Sequence, residues 1–97
     1  MSHRDVFKAL ADPTRRRILR MLSERPEMSA GQIAGVFDIS APSMSHHFNV
    51  LKEADLISQR REGQQILYSM NTTVVEDLMT MLFDIFRKDG EERKVKS

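Results

Sequence analysis

The sequence predicts a mainly α-helical domain with a small β-hairpin, which places it in the α+β class. Apolar residues recur at helical spacing from Val6 to Leu51, and capping residues and prolines divide this stretch into four short helices. After Leu56, apolar and polar residues alternate on both sides of Gly63, as they do in a hairpin. The length of 97 residues leaves room for one domain.

The first two helices are separated by an Asp-Pro pair. Asp12 can accept a hydrogen bond from a free amide at a helix start and Pro13 suits a first turn, so the second helix is predicted to run from here to about Glu24. Arg15 lies on its apolar side, where we expect the stem to pack and the guanidinium to pair with an acid. The apolar positions are Val6, Phe7 and Leu10 in the first helix (residues 5–11) and Ile18, Leu19 and Leu22 in the second.

The third and fourth helices each have a serine cap. Ser29 and Gln32 have the spacing of a capping box, which starts helix three near Ala30. Ser40 is followed by an early-turn proline and caps helix four. Helical spacing predicts that the inward-facing residues are Ile33, Val36 and Phe37 in helix three and Met44, Phe48 and Leu51 in helix four. The residues of helix four predicted to face outward are Ser43, His46, Asn49, Val50 and Glu53.

The alternating segment after helix four predicts a hairpin around Glu62-Gly63. Alternation places Ile57, Gln59 and Arg61 together on its first strand and Ile66, Tyr68 and Met70 on its second. Two short helices followed by such a hairpin, or wing, are typical of a winged helix-turn-helix. We therefore predict that architecture.

The last helix, about Thr73 to Arg87 and capped by the segment Asn71-Thr72-Thr73, carries more apolar residues than one packing face needs. One interpretation is an unusually hydrophobic core helix. We favour the other, a homodimer interface shared with the first helix. Its predicted residues are Val6, Phe7, Leu10, Val75, Leu78, Met79, Leu82 and Phe86. The domain is expected to span residues 1–88, and residues 89–97 are expected to form a charged flexible tail.

Composition excludes several kinds of site. The chain has no cysteine, which removes disulfides, thiolate metal sites and thiol chemistry. Adjacent His46 and His47 point about 100° apart on a helix, so we predict no metal site and no cofactor. No stretch approaches the ~18 apolar residues of a membrane span, and the N-terminus lacks a signal-peptide core. We expect a cytoplasmic protein without membrane insertion.

Charge gives weak support for nucleic-acid binding, because the net charge is only +1. Residues 1–26 carry +4, residues 27–86 carry −5 and residues 87–97 carry +2. The support comes from geometry, since the major groove admits one helix whose polar side chains reach base edges. The predicted DNA contacts are Ser40, Ser43, Ser45, His46 and Asn49 from helix four and Arg60, Arg61 and Gln64 from the wing. His47 is expected to pack instead.

Four segments resemble the ArsR/SmtB-type winged helix-turn-helix repressors: DPTRRRIL, the stretch from Ser29 to Ser40, SMSHHFNVLKEADLI and REGQQILYSM. The chain is most similar to the short, cysteine-less autorepressor-type members. The resemblance implies a homodimer built on the first and last helices that represses by occupying an operator. It does not carry over the family's metal sites, because helix three has no cysteine and no histidine follows His47.

We therefore predict a transcriptional repressor, not an enzyme, that binds an inverted-repeat operator in double-stranded DNA as a homodimer. The alternative is a winged-helix module that binds another protein and not specific DNA. The near-neutral charge and the methionine-rich last helix favour that alternative. A hydrolase would need a base and an orienting group around Ser45, and helix neighbours do not provide them.

Overall fold

The computed structural model describes the backbone of residues 3–96 and the side chains of residues 5–87, which form five helices and three strands. In chain order these are α1 (His3–Leu10), α2 (Pro13–Glu24), β1 (Met28–Ser29), α3 (Ala30–Ala34), α4 (Ala41–Glu53), β2 (Ile57–Glu62), β3 (Gln65–Met70) and α5 (Thr72–Lys96). The predicted mainly α fold with a hairpin wing is confirmed.

The helix starts follow the predicted caps. The Asp12 carboxylate accepts from the Arg15 amide at 3.1 Å. Ser29 and Gln32 form the capping box, with the Gln32 amide donating to Ser29 Oγ at 3.0 Å and the Ser29 amide donating to Gln32 Oε1 at 2.9 Å. Ser40 Oγ accepts from the Ser43 amide at 3.3 Å. These contacts satisfy amides that a helix start leaves without intrahelical partners.

The strands form an antiparallel sheet in the order β1-β3-β2. The hairpin turns at Gly63 and Gln64, and Gly63 has a φ of 63°, which glycine adopts without a Cβ clash. Strand β1 was not predicted from the sequence, because two residues are too few to show alternation. Its pairing with Tyr68 and Leu67 places the segment before α3 on the outer edge of β3.

The core lies between the helices and one face of the sheet. Its fully buried side chains include Val6, Ile18, Ile33, Leu51 and Leu56, which come from α1 to α4 and the start of the wing. The ring of Tyr68 stacks on Phe48 with centroids 4.4 Å apart. This contact fixes the wing against α4.

Three sequence predictions about side-chain direction or helix length are wrong. Val36 is 45% exposed rather than inward, because α3 ends at Ala34 and Val36 lies in the turn that follows, where its amide donates to the Ile33 carbonyl. Val50 is buried rather than outward. The core covers more of the circumference of α4 near its C-terminus than the single apolar stripe predicted from the sequence. Helix α5 continues past Arg87 to Lys96. The added segment is rich in Glu, Lys and Arg, which favour helix.

Helix α5 has two apolar faces. Val74, Leu78 and Met81 pack against the core of the protomer. A second face, named here the α5 stripe, consists of Val75, Met79, Leu82, Phe83 and Phe86. Val75 and Leu82 are half-buried and also pack against the core of the protomer. Met79, Phe83 and Phe86 are 48%, 54% and 70% exposed, and they form the uncovered part of the stripe.

The predicted interface residues divide in the same way. Val6 and Leu78 are buried in the core of the protomer. Phe7 is exposed and Leu10 is half-buried on α1. The breadth of the apolar set in α5 therefore reflects core packing and a surface together.

Candidate nucleic-acid interface

The outer face of α4 presents four short polar side chains to solvent. Ser43, Ser45, His46 and Asn49 are all exposed, whereas Met44, Phe48 and Leu51 on the opposite side are buried. The core therefore fixes which face of α4 is displayed. Side chains of this kind donate to and accept from base edges in the major groove.

The N-terminus of α4 holds Ser40 and Ser43 together in the solvent. Ser40 Oγ donates to Ser43 Oγ at 3.1 Å and accepts from the Ser43 amide. The first amides of a helix attract anions, so this end of α4 suits a backbone phosphate. Ser40 is thus both a cap, as predicted, and a residue near a favourable phosphate position.

His47 is turned into the protein, as expected for a packing residue. Its Nδ1 lies 3.2 Å from Arg15 Nη1 and 3.8 Å from Asp12 Oδ2. Because a guanidinium only donates, Nδ1 accepts and the neutral ring carries its proton on Nε2. Burial lowers the pKa of His47, and the Asp12 carboxylate opposes this effect only in part.

Arg15 joins α4 to α1 rather than pairing with an acid. It is 8% exposed, and its Nε and Nη2 donate to the carbonyls of Ala9 at 2.9 Å and Lys8 at 3.0 Å. Both carbonyls lie in the last turn of α1, where carbonyls lack i+4 partners within the helix. The Lys8 carbonyl also accepts from the Ala11 amide at 3.2 Å, and Arg15 adds a second donor to it. The expected ion pair is therefore wrong within the described residues, although the expected packing of the stem is confirmed.

The other arginines of α2 are engaged with their own chain. Arg16 donates to the Leu10 carbonyl at 2.8 Å, and the Arg17 guanidinium lies over the Phe37 ring, 5.2 Å from its centroid. Arg20 pairs with Glu24 at 3.6 Å. None of these contacts points to phosphate binding.

The two wing arginines lie on opposite faces of the hairpin. Arg61 pairs in register with Ile66, two residues from Tyr68, so it shares the face that packs on α4. Arg60 pairs with Leu67 on the other face and bonds to Glu27 and Glu62. Of the predicted wing contacts, only Arg61 and Gln64 remain without a partner in the described part of the chain.

The described residues contain neither a candidate metal site nor a candidate membrane-spanning helix. Among residues 5–87, no group of three histidine, aspartate or glutamate side chains could hold a metal ion. Within the same part of the chain, no helix has the length and apolar character needed to cross a membrane.

Comparison with known proteins agrees with this geometry. A family model described as a helix-turn-helix domain matches residues 10–60. The transcriptional repressor SdpR of Bacillus subtilis (strain 168) is 51% identical over 88 residues, covering 91% of this chain and 97% of that protein. The arsenical resistance operon repressor of the same organism is 34% identical over 86 residues, covering 88% and 82%. This chain belongs to the ArsR/SmtB family.

Solved structures of ArsR-type proteins share the fold of this ArsR/SmtB-family chain. An ArsR-like transcriptional regulator from Rhodococcus sp. RHA1 has a TM-score of 0.78 at 27% identity, covering 95% of this chain and 84% of that one. The protein is accordingly a DNA-binding transcription regulator with a winged helix-turn-helix, and it is not an enzyme.

Sequence reasoning missed two residues of this region in the ArsR/SmtB-family chain. Glu27 follows a helix-breaking proline and has no periodic neighbours, so nothing marked it as a partner of the wing. Arg15 was located correctly but given the wrong partner, because the carbonyls it contacts belong to the end of another helix. Both roles depend on contacts between elements.

Proposed function

We propose that this chain represses transcription in the cytoplasm by binding, as a homodimer, to an inverted-repeat operator. The observation that carries the proposal is the exposed polar face of α4 beside a wing whose Arg61 lies on the α4 side. A helix and a hairpin presented together can occupy a major groove and the adjoining backbone.

The proposed contacts divide into two groups. Ser43, Ser45, His46 and Asn49 read base edges, because they are exposed on the outer face of α4. Ser40, Arg61 and Gln64 contact the DNA backbone. Such contacts set the position of the protein on the DNA and its affinity, but not its sequence preference. Arg60, also predicted to contact DNA, is held by Glu27 in the free chain.

The homodimer is proposed to form through the α5 stripe with Phe7 and Leu10 of α1. Val75, Met79, Leu82 and Phe86 recur at spacings of four, three and four, which is the spacing of a helix–helix seam. Val75 and Leu82 are half-buried, whereas Met79 and Phe86 expose apolar area whose burial against a second α5 would be stabilising. A two-fold axis between two α5 helices would give the pair of α4 helices the symmetry of an inverted repeat.

The deciding experiment recovers DNA from the source genome. Sheared genomic DNA is incubated with the purified protein at ~150 mM salt, and the bound fragments are sequenced. We expect an enriched inverted repeat with half-sites centred one turn of about 34–36 Å, or a multiple of it, apart. Its position would also show whether the gene of the protein itself is regulated. No enrichment, with binding that disappears as salt rises, would favour the protein-binding alternative.

Arg61→Ala tests the wing. If Arg61 contacts a phosphate, the variant should bind operator and unrelated DNA more weakly, and its dependence on salt should fall by about one counterion. Fluorescence anisotropy between 50 and 300 mM salt measures both quantities. Arg20→Ala is the matched control, because it removes the same charge where the guanidinium pairs with Glu24 on α2. An unchanged slope for Arg61→Ala would remove this residue from the contacts.

A further inference from the structure

The sheet carries an ion pair that connects its two outer edges. Arg60 Nε lies 2.6 Å from Glu27 Oε2 and Arg60 Nη2 lies 2.9 Å from Glu27 Oε1, which is a two-point contact. Arg60 Nη1 also bonds to Glu62 Oε2 at 3.0 Å. Paired parallel bonds of this kind fix the orientation of a guanidinium as well as its distance.

The position of this pair in the sheet distinguishes it from an ordinary surface ion pair. Strand β3 is central, Arg60 lies on β2 at one edge, and Glu27 directly precedes β1 at the other. Arg60 is opposite Leu67, which is opposite Ser29. The guanidinium therefore crosses the central strand on the face away from α4, and the Glu27–Arg60 pair is named here the wing strap.

The strap also changes the charge that the wing offers to DNA. Two carboxylates surround Arg60, and its hydrogen bonds hold the pKa of Glu27 below the ordinary value. Glu27 is therefore ionised at neutral pH and occupies the guanidinium. Arg61, on the opposite face, is then the wing cation available to a phosphate.

We propose that Glu27 and Arg60 are positioning residues for DNA binding. The strap sets the angle of the wing so that Arg61 and Gln64 contact the DNA backbone while α4 lies in the major groove. This inference rests on the proposed wing contact. Strand β1 leads directly into α3, so the strap relates the wing to the helix-turn-helix through a connection on its outer face. The Tyr68–Phe48 stack makes the connection on the inner face.

The test compares Glu27→Gln with Glu62→Gln. Both changes remove one negative charge from a partner of Arg60, but only Glu27 reaches it from the other edge of the sheet. We expect Glu27→Gln and Arg60→Gln each to weaken operator binding by about three- to tenfold, with the double variant no weaker than either single variant. The salt slope should stay at the wild-type value, and Glu62→Gln should bind at least as well as wild type.

Two measurements separate this role from the alternatives. If Arg60 contacted phosphate directly, Arg60→Gln would lower the salt slope by about one counterion and Glu27→Gln would not weaken binding. If Glu27 only masked Arg60, Glu27→Gln would tighten binding and raise the slope. Either outcome overturns the strap. The charge exchange Glu27→Arg with Arg60→Glu should restore most of the lost affinity.

A measurement without DNA distinguishes failure of the strap from failure of the proposed function. Amide hydrogen exchange of the free protein should be faster in β2 and β3 for Glu27→Gln than for Glu62→Gln, while the unfolding midpoints stay close. Faster exchange without weaker operator binding would overturn the positioning role and leave DNA binding intact. Absence of operator binding by the wild-type protein would instead overturn the proposed function.

Discussion

Met79→Lys combined with Phe83→Lys is expected to convert the proposed homodimer to a monomer and to weaken operator binding by roughly 100-fold or more. Both side chains are about half exposed in the α5 stripe. Two ammonium groups on each helix would face the same groups across a two-fold axis, and the apolar area would no longer be covered. A monomer loses the gain that comes from linking two half-site contacts.

The control adds the same charge to another face of α5. Thr80→Lys with Asp84→Asn also raises the charge by two, on the exposed polar side of the helix. This variant should remain a dimer and should bind DNA as well as wild type or slightly better. Sedimentation velocity and anisotropy on the operator measure the two properties. A stripe variant that stays dimeric would place the interface elsewhere.

Local patterns were sufficient for most of the fold. Asp12, Ser29 and Ser40 each cap the helix that they were predicted to start, because a cap is a contact between residues three apart. The hairpin was also predictable, since alternation and a glycine turn lie within a short segment. These features depend on neighbours in the chain and are visible without tertiary structure.

Contacts between distant residues could not be predicted in the same way. Arg60 and Glu27 are separated by 33 positions, and Arg15 and His47 by 32. Their partners are set by how the helices and strands pack, and other acids were equally available in the sequence. The same limit explains why the burial of Val50 was not predicted. Its burial depends on the elements that pack around α4 and not on the apolar spacing within that helix.

His46→Ala is the variant expected to separate sequence preference from general DNA affinity. Its ring is exposed on the outer face of α4, where a base edge could be reached. Loss of one base contact should weaken operator binding by roughly 1–3 kcal/mol per half-site. Binding to unrelated DNA should change little, because phosphate contacts supply that affinity. Anisotropy with both duplexes at one salt concentration gives the ratio.

The adjacent histidine provides a matched control with the same substitution. His47 lies beside His46, with ring centroids 5.8 Å apart, but it is mostly buried and bonds to Arg15. His47→Ala removes a contact between α2 and α4 and leaves a guanidinium donor unpaired. It should therefore lower the unfolding midpoint and weaken binding to both duplexes by the same factor. His46→Ala should leave the midpoint unchanged. If His46→Ala weakened binding to both duplexes equally, His46 would not read a base. Asn49 and Ser45 would then have to account for the sequence preference.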